Sequence, residues 1–115
     1  MNLNQVPLFR DLDADQQAVL MAQTETRTLR AGEVLFYEGD LADKLYVLAE
    51  GKCMATRAGK PQQQHLWSLP LIDPVATLGG LPHHIKLESQ TDSMFLYWPV
   101  HRRSIRKLIY GEIQH

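Results

Sequence analysis

Five histidines, His65, His83, His84, His101 and His115, are the residues best suited to bind a transition metal, because three neutral imidazoles brought together make a zinc or iron site. Their spacing does not bring them together. There is no His-x-His pair and no i, i+4 pair on a helix, and neighbours such as His83 and His84 point to opposite faces of a strand. They are expected as exposed loop histidines, with no metal or haem. Asp11, Asp13 and Asp15 could converge on calcium, but Gln16 stands where that loop needs glycine and Ala22 where it needs a bidentate glutamate. Capping of a helix by Asp13, with Gln16 reaching back, is the simpler use of these residues. For nucleophilic catalysis, Ser68, Ser89, Ser93 and Ser104 lack a Gly-x-Ser-x-Gly elbow, and Cys53 lies in an apolar strand as a structural thiol. Gly79-Gly80 lacks the further glycines of a dinucleotide or P-loop site. No catalytic apparatus is visible, and a non-enzymatic protein is expected.

Arg102, Arg103, Arg106 and Lys107 form the remaining charged cluster, and it reads as the solvated face of a short helix. The chain as a whole has 115 residues and a formal charge of -1, so no global basic field draws it to nucleic acid or an anionic membrane. Its 44% hydrophobic and 22% charged residues predict one globular domain rather than a disordered chain. A single cysteine excludes an intramolecular disulfide and fits a reducing compartment. With apolar runs far too short to span a bilayer, the expected location is the cytoplasm, with no membrane partner.

The elements that must position these residues follow from texture. Asp13 starts a helix over about 14–23, a surface helix tethered by Leu8, Phe9 and Leu12. From Thr26 the chain turns to short runs of branched and aromatic residues, broken by turns expected at Ala31-Gly32, Glu38-Gly39-Asp40, Glu50-Gly51, Ala58-Gly59-Lys60-Pro61, Asp73-Pro74 and Gly79-Gly80-Leu81-Pro82, with Gly32, Gly39 and Gly51 as positive-φ positions. Strands are expected at Thr26 to Arg30, Val34 to Tyr37, Lys44 to Ala49, Lys52 to Arg57, His65 to Leu69, Ile85 to Ser89 and Met94 to Trp98. Strands so short and close argue for an antiparallel roll, because a parallel sheet needs helical crossovers. After Pro99, Ile105, Leu108 and Ile109 fall at helical spacing over about 100–110. The expected architecture is thus one mainly β domain, a β-roll or jelly-roll sandwich of seven to eight antiparallel strands over about 26–98, with an N-terminal helix and a short C-terminal helix. Val34, Phe36, Leu45 and Val47 are expected to line its interior.

The stretch Ala31-Gly32-Glu33-Val34-Leu35-Phe36-Tyr37-Glu38-Gly39-Asp40-Leu41-Ala42-Asp43-Lys44-Leu45-Tyr46-Val47-Leu48-Ala49-Glu50-Gly51 resembles the front half of the cyclic nucleotide-binding domain family. That family includes the sensor domains of Crp/Fnr-type regulators, the regulatory subunits of protein kinase A and gated channels. Gly-Glu, Glu-Gly-Asp, Asp-x-Leu-Tyr and a hairpin Gly stand here in the family's order. Val6-Pro7-Leu8-Phe9 resembles its entry and Leu96-Tyr97-Trp98-Pro99 its exit, so the likeness runs from about Val6 to Tyr110.

The resemblance implies a binding cassette in which a Gly-Glu pair opens a helical turn, the Glu takes a ribose hydroxyl and a later Arg pairs with the cyclic phosphate. Laid on Ile72 to Leu87, the Gly-Glu position falls on Asp73-Pro74 and the Arg on His83, or on His84 with a slip of one residue. One imidazole cannot replace a bidentate guanidinium, and losing both charged contacts removes roughly two decades of affinity. The resulting expectation is a regulatory and interaction module with a degenerate cAMP or cGMP site, acting through a protein partner or a second copy of itself. The alternative is a sensor of a cyclic nucleotide or another small anionic ligand, held by Thr77, the amides of Leu78, Gly79 and Gly80, and His83, His84 or Lys86. A third expectation, the sensor part of a Crp/Fnr-type transcription regulator, is opposed by the lack of a helix-turn-helix after Gln114-His115, so direct DNA binding by this chain is not expected.

Overall fold

The computed structural model describes residues 6, 9–62, 71–101 and 103–110, with residues 103, 104, 109 and 110 given by backbone alone. Helix α1 spans Ala14–Ala22 and starts where the sequence directs it. The Gln16 amide donates to the Asp13 carboxylate at 2.8 Å, and the Asp13 amide donates to the Gln16 side-chain oxygen at 2.9 Å, a reciprocal capping box. Only Leu20 of this helix is buried, so α1 lies on the surface of the roll.

Among the described residues eight strands follow: β1 (Glu25–Leu29), β2 (Val34–Phe36), β3 (Lys44–Glu50), β4 (Cys53–Arg57), β5 (Lys60–Pro61), β6 (Leu71–Ile72), β7 (Lys86–Ser89) and β8 (Ser93–Pro99). Helix α2 (Pro74–Gly79) lies between β6 and β7, and α3 (Arg103–Tyr110) follows β8. The strands form two four-stranded antiparallel sheets, β1-β8-β3-β6 and β2-β7-β4-β5. The mainly β roll with a helix at each end is the expected architecture. The expected strand at 65–69 lies outside the described residues.

Three elements differ from the sequence reading. Leu71-Ile72, not expected as a strand because it is too short to show any alternation, is β6, paired with Tyr46 and Val47 of β3. Lys60-Pro61, expected within a turn, is strand β5, because Ala58 (φ 52) and Gly59 (φ 78) complete a two-residue left-handed turn before it. Its proline is tolerated because β5 is an edge strand. Asp73-Pro74, expected as a break, opens α2 with Pro74 in the first turn, where a missing N–H costs nothing. Gly51 is required by its turn: at φ +95 a Cβ would also lie 2.6 Å from the Asp92 carbonyl oxygen.

The core has two parts, divided by the β1-β8-β3-β6 sheet. On its outer face Val6, Phe9, Leu20, Leu45, Val47, Leu71, Trp98 and Ile105 pack together, with Leu108 against them. Inside the roll are Leu29, Leu35, Phe36, Tyr46, Cys53, Ala55, Ile72, Ile85, Leu87 and Phe95. Of the four residues expected inside, only Phe36 belongs to this inner cluster; Leu45 and Val47 face the helices, and Val34 is half-buried. The reason is that β3 is covered on both faces at its centre, so no polar-apolar alternation marks which side is inward. Burial pushes the Cys53 thiol up to about 11, consistent with a structural cysteine.

Candidate functional site

The cassette positions converge on one end of the roll. Asp73 precedes α2 in a left-handed conformation (φ 44, ψ 53) that costs a non-glycine residue about 1 kcal/mol and that Asp visits more readily than most. Its carboxylate makes no capping bond to α2. Instead Oδ2 lies 2.9 Å from Nδ1 of His83, ten residues on, and the two side chains are only 9% and 2% exposed. A carboxylate accepts only, so Nδ1 carries the proton and donates.

The imidazole is fixed on its other sides as well. Its ring stacks on Phe36 with centroids 3.5 Å apart and planes 4° from parallel. The His83 amide donates to the Asp40 carbonyl and its carbonyl accepts from the Gly39 amide, each at 2.9 Å, tying the residue to the β2–β3 loop. Behind Phe36 an aromatic series continues through Tyr46 (6.2 Å) to Tyr97 (5.5 Å) and fills the lumen. The Tyr97 phenol is pushed up, first by desolvation and then by the neighbouring Glu25.

Of the residues expected at a ligand site, Thr77 and His83 meet through Asp73. The Thr77 hydroxyl is shared between the carbonyls of Asp73 (3.4 Å) and Lys44 (3.3 Å). Leu78 packs toward the helix-side core, while Gly79 and Gly80 are exposed, with Gly80 ending α2 at φ 69. His84 is exposed and makes no part of this cluster. Lys86 alternates with the buried Leu87 on β7, so it faces away from the lumen, and its Nζ sits 5.7 Å from the Tyr37 ring centroid. His83, expected in an exposed loop, is buried because its polar atom has a carboxylate partner and its ring an aromatic one.

The sequence reading passed over the Asp73 carboxylate and the Phe36 ring. The signal for the first was Asp73 standing ten residues before His83 in the cassette alignment; nothing local marked Phe36 as a stacking partner. At the far end of the roll, Thr28, Leu29, Arg30, Glu33, Glu50, Asp92, Ser93 and Met94 line an open cleft of about 380 Å³. Two of its carboxylates serve the backbone there, Glu33 accepting the Arg30 amide and Asp92 the Ala31 amide at 3.0 Å. Among the described residues no three metal-ligating side chains gather.

Solved structures share this arrangement of strands and helices. A cAMP-bound PfPKA-R superposes with a TM-score of 0.79 over 97% of this chain, at 19% identity. The fold is that of the cyclic nucleotide-binding domains. The N-terminal domain of a transcriptional regulator from Streptomyces coelicolor A3(2) shares the fold as well, at 25% identity, a TM-score of 0.73 and coverage of 99% of this chain and 94% of that one. In sequence, the cyclic nucleotide-binding fold is accompanied by 28% identity over 89 residues to a cAMP-dependent protein kinase regulatory subunit from Eremothecium gossypii, covering 77% of this chain. The chain spans 19% of that subunit's length and 38% of PfPKA-R. No family model matches the chain. Among the described residues no helix is long and apolar enough to cross a membrane.

Proposed function

We propose that this domain is a non-enzymatic regulatory module of the cyclic nucleotide-binding fold whose nucleotide seat is degenerate, and that it acts in the cytoplasm through contact with a protein partner or a second copy. The supporting observation is the buried Asp73–His83 pair at 2.9 Å. The family resemblance puts a phosphate-pairing arginine at His83, or at His84 with a slip of one residue, and of the two His83 is the one turned into the roll. Here a cyclic phosphate would have to take the imidazole from Asp73 and then lie beside that residue's carboxylate. The exchange trades a formed charge-assisted contact for like-charge repulsion and lacks the bidentate donor that could offset it. Pro74, at the other cassette position, has neither an amide to donate nor a carboxylate for a ribose hydroxyl.

A second reading, a sensor of cAMP, cGMP or another small anion through Thr77, Leu78, Gly79, Gly80, His83, His84 and Lys86, draws its support from the cAMP-bound PfPKA-R of like fold. The two readings part in a thermal-unfolding titration with cAMP and cGMP to millimolar concentration. A ligand that binds only the folded chain raises its Tm with concentration. No shift at millimolar nucleotide is the expected outcome; a saturable rise would establish the sensor instead.

A further inference from the structure

We propose that the Asp73–His83 pair is a proton-operated latch, which holds α2 on the β2–β3 loop while the imidazole is protonated and lets it go when the imidazole is neutral. The inference rests on the reading above that no nucleotide governs this seat, and it names the signal that would govern it. Three observations carry it.

First, the partner of the imidazole is a carboxylate that is itself 9% exposed. A protonated ring cancels that buried charge, whereas a neutral ring leaves it with one hydrogen bond and no countercharge. Second, Asp73 has another state within reach. It occupies the residue before α2 in a left-handed conformation, with its carboxylate off the helix amides. Rotation to the extended conformation usual for a helix cap would relieve that strain and turn the carboxylate to the first-turn amides of Val75 and Ala76, which the helix itself does not bond. One residue therefore chooses between latching His83 and capping its own helix, and the charge on the imidazole weights the choice. Third, the latch joins two elements that carry exposed apolar side chains. Tyr37 (55% exposed) and Leu41 (78%) lie in the β2–β3 loop, and Val75 (65%) and Leu81 (45%) lie on or beside α2. Because the His83 main chain is bonded to Gly39 and Asp40, releasing Asp73 changes how these side chains are presented together.

The other charged groups near His83 are already engaged. In the β2–β3 loop the Asp40 carboxylate accepts the Tyr37 amide and Glu38 accepts the Ala58 amide. At the start of β3, Lys44 pairs with Asp43, and the Tyr46 phenol lies beyond Phe36. On β7, Lys86 sits over Tyr37, and the adjoining His84 is exposed. Among the described residues Asp73 is the carboxylate bonded to the His83 ring.

The test is ¹H–¹⁵N NMR of the full chain without nucleotide, over roughly pH 5 to 8, where imidazoles change charge. The expected result is that the His83 ring nitrogens titrate and that the amides of Val75, Ala76, Thr77, Gly39 and Leu41 shift with the same midpoint. In His83→Gln that shift is lost while tryptophan emission keeps its folded value; should this variant not fold, Asp73→Asn, which leaves the ring free to titrate, must still abolish the α2 shifts. A ring that titrates while the α2 amides stay still overturns the latch, as do α2 shifts that survive in the variants or a ring with no titration in this range. The nucleotide titration is a separate experiment, so a nucleotide-dependent Tm would remove the degenerate-site reading without being mistaken for failure of the latch.

Discussion

The two faces of the β1-β8-β3-β6 sheet solve the same problem with different chemistry. On the helix side, Trp98, Phe9, Leu20, Leu45, Val47 and Ile105 bury only apolar surface, apart from the Trp98 indole N–H, which donates to the Leu20 carbonyl at 3.0 Å. On the lumen side, the aromatic series from Tyr97 through Tyr46 to Phe36 ends on a buried imidazole and carboxylate. The first arrangement is specified by shape and area and is indifferent to pH or ligand. The second depends on charge, and removing either partner leaves the other exposed to the cost of burial. The lesson is that the apolar anchor of the helices and the charged contact of the site lie on opposite faces of one sheet, so the site end can be altered while the helix side still holds the fold.

The largest expected effect breaks the helix side. Trp98→Ala removes a fully buried indole that packs edge-on to Phe9 at 5.1 Å, and should cost about 3 to 5 kcal/mol in urea unfolding. A cost below about 1 kcal/mol would mean that the helices do not depend on this anchor. Next comes the lumen side. His83→Leu removes the partner of the Asp73 carboxylate and the ring stacked on Phe36, and should cost about 2 to 3 kcal/mol, less than a trapped buried charge would because Asp73 can turn to cap α2; Asp73→Gly relieves the left-handed backbone and should cost less still. A double-mutant cycle between the two positions should return a coupling of about 1 to 3 kcal/mol, while the pair Trp98 and His83 should be additive. Coupling of similar size across the sheet would erase the distinction drawn here.

The same contrast explains what could be read from sequence. Helix α1 was legible because its start is local, written in Asp13 and Gln16, and the turns at Gly32, Gly39 and Gly51 were legible because positive φ leaves a residue-type mark. The inward face of β3 was not, because Leu45, Tyr46 and Val47 are all buried and only tertiary packing tells them apart. The site was half legible. The cassette alignment marked Asp73-Pro74 and His83 as departures from the family pattern, but not that the departing residues would bind each other. That contact spans ten residues and depends on a left-handed backbone at Asp73, which neither propensity nor periodicity predicts. Phe36 read correctly as interior, yet its stacking on His83 is set by the β2–β3 loop closing over the site.

Smaller substitutions sharpen the boundary between the regions. Thr77→Val keeps the volume of a buried side chain and removes its hydroxyl from the Lys44 and Asp73 carbonyls. A loss of about 1 kcal/mol in urea unfolding is expected, with the inner core unchanged. The smallest effect is expected at Lys86. Its ammonium lies over the Tyr37 ring outside the lumen, so Lys86→Ala should cost no more than about 1 kcal/mol and leave the His83 ring signals where they were. That outcome would exclude Lys86 as a substitute cation for the missing guanidinium, since a cation serving the seat would have to perturb the imidazole when removed. A marked change in the His83 signals would instead bring Lys86 into the site, and the exposed face of β7 would have to be counted with the lumen rather than against it.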